Sequence, residues 1–93
     1  MAGYDQSSET SVATQVSVLV TTTQLKPARP TRKRMIVRNN DGSNPIYING
    51  EADATTSHFI VKAGESIELD TQGVVNAIAT GATVVVHIWE EFN

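Results

Sequence analysis

The strongest chemical signal in the sequence is a run of cations. Six of the seven basic residues, Lys26, Arg29, Arg32, Lys33, Arg34 and Arg38, fall between positions 26 and 38 with no acid among them, while the rest of the chain holds all ten acids and Lys62. Such polarity suits phosphate or nucleic-acid binding, docking on an acidic neighbour, or a solvated segment whose charges and prolines, Pro27 and Pro30, guard an edge strand. Nucleic acid is disfavoured, because the net charge is −3 and no aromatic side chain is interleaved with the cations to stack on bases. Docking and edge protection remain.

Other chemistry lacks its parts. The histidines are His58 and His87 only, with no cysteine and no HExxH spacing, so a metal would find too few ligands. Asp41, Glu51 and Asp53 flank turns, but Asp41-Gly42-Ser43-Asn44 lacks the spacing and the bidentate glutamate of a calcium loop. No serine sits in Gly-x-Ser-x-Gly, and neither GxxxxGK[ST] nor GxGxxG occurs. A chain of 93 residues would also spend much of its core on a ligand cavity. We expect no enzyme, no metal and no cofactor.

The elements that must position these residues read as strands. From Gln15 apolar residues alternate, with Val16, Val18 and Val20 on one face and Ser17, Thr21 and Thr23 on the other. Arg34 to Asn39 points Met35 and Val37 inward, and Pro45 to Asn49 does the same with Ile46 and Ile48. Between them, Asn39-Asn40-Asp41-Gly42-Ser43-Asn44 predicts a hairpin, with Asp-Gly supplying a positive φ. Further strands are expected at His58 to Lys62 (Phe59 and Val61 inward), Ser66 to Asp70 (Ile67 and Leu69 inward), Val74 to Thr80 and Thr83 to Phe92. Turns at Ala63-Gly64-Glu65, Thr71-Gln72-Gly73 and Thr80-Gly81-Ala82 separate them. No window carries a capped helical pattern, although Val74 to Ala79 is apolar enough to fit either element. The reading is all-β: a single small antiparallel β-sandwich, jelly-roll-like or a small barrel, of about seven strands over residues 15–93.

Residues 1–14 are rich in Ser, Thr and Gln and hold too little apolar surface to fold alone, so they read as an extended N-terminal arm. The last strand is apolar on both faces. If Val84, Val86 and Ile88 fill the core, Val85, His87 and Trp89 look outward, where an interface, a loop or the arm must cover them. The composition, 40% hydrophobic, 5% aromatic and without cysteine, leaves so short a chain dependent on association. No stretch reaches eighteen apolar residues and the first residues lack a basic flank and hydrophobic run, so we expect a soluble chain without an export signal or membrane partner.

From Leu25 onward the order of motifs resembles small β-rich virion structural proteins of tailed bacteriophages, of the head decoration or cement type. The likeness rests on four stretches: the proline-and-arginine segment Pro27 to Asn39, the short strand Ile46-Tyr47-Ile48-Asn49-Gly50, the Gly-bearing turn and strand Val61 to Leu69, and Val75-Asn76-Ala77-Ile78-Ala79 before the valine-rich strand Ala82 to Glu90. It covers about two thirds of the chain and consists mostly of turn chemistry and binary pattern. It implies a noncatalytic decoration protein, made in the host cytoplasm, that sits on the virion's outer capsid. Its partners would be the major capsid protein and itself, as a trimer or dimer. Tyr4, Val12 and Val16 would then be apolar anchors, Arg29, Arg32, Lys33 and Arg34 would pair with acidic capsid patches, and Val85 and Trp89 would offer a second apolar surface. The alternative is a tail, fibre or adaptor component that recognises a host surface or another virion protein, with the loops Asn39–Asn44 and Gly50–Ser57 touching a host glycan or protein.

Overall fold

Alternation of β-branched residues along short segments produces strands throughout. The computed structural model describes residues 10–93, and they form eight: β1 (Thr10–Val18), β2 (Thr23–Lys26), β3 (Arg32–Asn39), β4 (Ile46–Gly50), β5 (Phe59–Val61), β6 (Ser66–Leu69), β7 (Val75–Ala79) and β8 (Val84–Phe92). Two four-stranded antiparallel sheets result, one ordered β1-β8-β3-β6 and the other β2-β7-β4-β5. This interleaved order, in which every successive pair except β4–β5 passes from one sheet to the other, is that of a jelly roll. We call the first the outer sheet and the second the inner sheet. Strand β1 begins at Thr10, so residues 10–14 pair along β8, Thr10 opposite Phe92 and Thr14 opposite Ile88.

The core lies between the sheets and is aliphatic. Val18, Met35, Val37, Val84, Val86 and Ile88 from one side meet Leu25, Ile46, Ile48, Val61, Val75, Ala77 and Ala79 from the other. The inward positions expected in β3, β4 and β8 are all buried, and Val75–Ala79 is a strand. Eight strands replace the expected seven because the first apolar stretch breaks at Leu19–Thr22 and crosses to the other sheet. Val20 is therefore exposed in a loop. Phe59 has the inward parity of Val61 yet is 61% exposed, since β5 is a three-residue edge strand. There the sheets part around an apolar cleft of about 380 Å³ lined by Ile48, Phe59, Ile67, Leu69 and Val75.

The expected hairpin at Asn39–Asn44 does not form. Strands β3 and β4 belong to different sheets, and the connection is a corner built on side chains. Asp41 Oδ2 accepts the N–H groups of Ser43 (2.9 Å) and Asn44 (2.7 Å), which draws its carboxyl below the usual range. Buried Asn39 donates from Nδ2 to the carbonyls of Asn44 (2.9 Å) and Val61 (3.0 Å), tying the corner to the inner sheet. Gly42 needs no positive φ; among the described residues that conformation occurs at Gly64 (φ 79°) and Glu51 (φ 68°).

Candidate docking face

The outward side of the outer sheet carries the most distinctive group of exposed side chains. Strand register sets them in rows: Ser11, Glu91 and Arg34; then Ala13, Trp89, Ile36 and Glu68; then Gln15, His87, Arg38 and Ser66; then Ser17 and Val85. Alternation along β8 puts Val85, His87 and Trp89 outward because Val84, Val86 and Ile88 are in the core. Ala13 is too small to cover the indole, so Trp89 stays 41% exposed beside a depression of about 500 Å³ lined by Ala13, Gln15, Ile36, Arg38 and His87.

Trp89 does not swing freely. Its Nε1–H donates to Glu91 Oε2 at 2.9 Å, two residues along on the same face. Glu91 is itself gripped by Arg34 through two parallel bonds, Nε to Oε1 at 2.9 Å and Nη2 to Oε2 at 3.2 Å, and Arg34 reaches Glu68 at 3.3 Å. The hydrogen bonds from Arg34 and then Trp89 hold the Glu91 carboxyl below the usual carboxylate range, and Glu91, then Glu68, raise the Arg34 guanidinium further. The aromatic ring is thus presented in one orientation by a charged brace. An aromatic anchor with a polar surround is the composition that dominates protein–protein contact energies.

The expected binding residues divide. Arg34, Val85 and Trp89 share this face, and Lys33 is exposed beside it. Val12 is exposed but on the core-facing side of β1, and half-buried Val16 packs against the core. Arg29 lies over the ring of Phe92, 5.4 Å from its centroid. Tyr4 lies outside the described residues.

Arg32 is not a surface cation. A bulge between Arg32 and Arg34 reverses the strand's phase and buries Arg32 completely. Its Nη1 donates to Glu90 Oε2 (3.0 Å) and the Pro27 carbonyl (3.2 Å), Nε to the Thr71 carbonyl (3.1 Å), and Nη2 to the Gly73 carbonyl (2.6 Å). Lys26 approaches the other Glu90 oxygen at 3.6 Å. The basic run is therefore largely matched within the chain. Glu90 carried the missed signal: its parity with Val84, Val86 and Ile88 places an acid in the core, and a buried acid demands a buried cation.

The two loops named for recognition lie at opposite ends of the sandwich. The β3–β4 connection sits at the end of the sandwich where Val18 meets Val84, whereas the β4–β5 connection sits at the opposite end, where Gly50 meets Val75. Within the latter, His58 Nδ1 accepts the Thr55 N–H at 2.8 Å, a turn-stabilising role. Among the described residues no group of three or more His, Cys, Asp or Glu is placed to hold a metal ion, and no helix is long and apolar enough to cross a membrane.

No family model matches the chain, and no curated protein matches it. Solved structures do match in fold. The stem and receptor-binding domain of the spike protein P1 of bacteriophage PM2 superposes with a TM-score of 0.63 at 18% identity, over 85% of this chain. The chain spans 32% of that spike chain. A chain of the Bacillus endospore appendages, described as disulfide-linked pili, gives a TM-score of 0.57 at 12% identity, covering 99% of this chain and 95% of its own. Both establish the all-β sandwich fold. With no cysteine, this chain has nothing with which to reproduce the disulfide linkage of the pili.

Proposed function

We propose that the chain is a noncatalytic structural subunit of a phage virion, and that it docks on the outer capsid through the outward face of its outer sheet. The observation that carries this reading is the braced Trp89: a large apolar group held at the surface by Arg34 and Glu91 and flanked across the strands by Ile36 and Ala13. A soluble domain gains nothing by exposing it, and a protein partner gains a preformed anchor. The fold likeness to a phage spike supports a virion setting. Binding only the assembled shell would stabilise that shell by mass action.

Capsid rupture temperature, measured with and without saturating protein, tests the reading: a rise is expected, and Trp89→Ala should abolish it while the circular dichroism of the subunit is unchanged. Equal rupture temperatures at full occupancy would refute the decoration role. The spike likeness also favours a second reading, a fibre or spike component that recognises a surface. Copy number separates the two, since hundreds per particle fit decoration and a dozen or fewer fit a spike or tail part.

A further inference from the structure

Among the described residues the two sheets end in four edge strands, β1, β6, β2 and β5, and three of these are blunted. Strand β2 has four residues, an irregular register and Lys26; β5 has three residues; β6 has four, including Glu68. Short length, bulges and charge are the usual protections against edge-to-edge pairing. Strand β1 has none. It runs nine residues, Thr10-Ser11-Val12-Ala13-Thr14-Gln15-Val16-Ser17-Val18, in unbroken register with β8, with no charge, proline or bulge. Every second residue turns its N–H and C=O away from β8, and among the described residues no strand pairs with that edge.

The same nine residues are partly symmetric about Thr14: Ser11 matches Ser17 and Val12 matches Val16, while Ala13 and Gln15, and Thr10 and Val18, differ. An antiparallel pairing of two copies centred there sets Val12 opposite Val16, Ser11 opposite Ser17, and Thr14 opposite its own mate. A second, independent observation falls on that centre. Thr14 Oγ1 is the buried side-chain polar atom that has no hydrogen-bond partner among the described residues. Buried hydroxyls are normally satisfied; this one is covered by its own chain, and a χ1 rotation would turn it out toward the directly opposed threonine of a second copy. The pairing would also cover Val12, which is 37% exposed on the core-facing side.

We propose that β1 of one copy pairs antiparallel with β1 of a second copy across a twofold axis at Thr14, joining the two outer sheets into one eight-stranded sheet. The interface is isologous and closes at the dimer. It does not depend on what the Trp89 face binds.

The full chain, which has no native cysteine, allows a direct reading of register. Directly opposed Cα atoms are about 4.5–5.5 Å apart, within disulfide range, so Thr14→Cys should cross-link to itself on mild oxidation. Ser11→Cys should not, because the two copies of position 11 lie about 20 Å apart, but it should cross-link to Ser17→Cys when the two proteins are mixed. Sedimentation of the unmodified chain should show a reversible species of twice the chain mass. Ala13→Lys with Gln15→Lys, both on the solvent face, should raise the concentration for half-dissociation at least tenfold with strand content retained. A monomer at every attainable concentration overturns the proposal. So does self-cross-linking of Ser11→Cys as fast as Thr14→Cys, or undiminished association of the double lysine variant.

Discussion

Glu91 is the pivot of the Trp89 face, because it receives both the Arg34 fork and the Trp89 indole N–H. Its carboxyl titrates lower in the folded chain than in the unfolded one, so the stability it contributes is present above the unfolded carboxylate range and is lost as pH falls through the lowered folded value. The one tryptophan reports this directly. Its emission should stay constant down to the ordinary carboxylate range and shift only below it, and Glu91→Gln should remove that transition; a shift centred at or above the ordinary range would contradict the brace. The residue scale also marks a limit of sequence reading. Trp89 and Val85 could be placed outward by parity alone, whereas Ile36 and Arg38 join them only through a cross-strand register that no local pattern encodes.

At the scale of elements, strand identity was legible and strand connection was not. Period-two alternation found β3, β4 and β8 with their inward residues, because burial of one face acts on each strand separately. The Asn39–Asn44 segment has the composition of a hairpin turn, yet its residues serve a corner. Asn39 spends its amide on two carbonyls, one of them from Val61 in the other sheet, and its Oδ1 accepts the Asp41 N–H at 2.9 Å. Turn propensity reports a change of direction, and only long-range bonds decide between return and crossing. Asn39→Ala strands those partners and should destabilise the fold by about 2–4 kcal/mol in urea titration. Asn39→Asp, which keeps only the acceptor, should recover little of it.

For the whole molecule, the buried group around Arg32 ties the two layers at one end. Arg32 and Glu90 belong to the outer sheet, Lys26 to the inner one, and Thr71 and Gly73 to the loop that passes between them. Glu90→Ala leaves an uncompensated guanidinium and should cost about 3–5 kcal/mol of unfolding free energy. Arg32→Met with Glu90→Leu should cost clearly less than Glu90→Ala alone, since no lone charge remains, and a double variant as unstable as the single one would argue against this account. The bulge that buries Arg32 hid it from the sequence, because one inserted residue inverts the parity on which strand reading depends. What was legible in the basic run was its separation from acids; its internal use depended on chain distances of 58 residues.

The register that sets Thr10 opposite Phe92 brings both ends of the described chain to one pole, away from the β1–β2, β3–β4, β5–β6 and β7–β8 connections. A passenger domain genetically joined at position 93 would therefore emerge beside Thr10, and a short tether from Asn93 to Thr10 could close the described domain into a circular permutant opened at the Gly81 bend. The far pole would stay unencumbered for display.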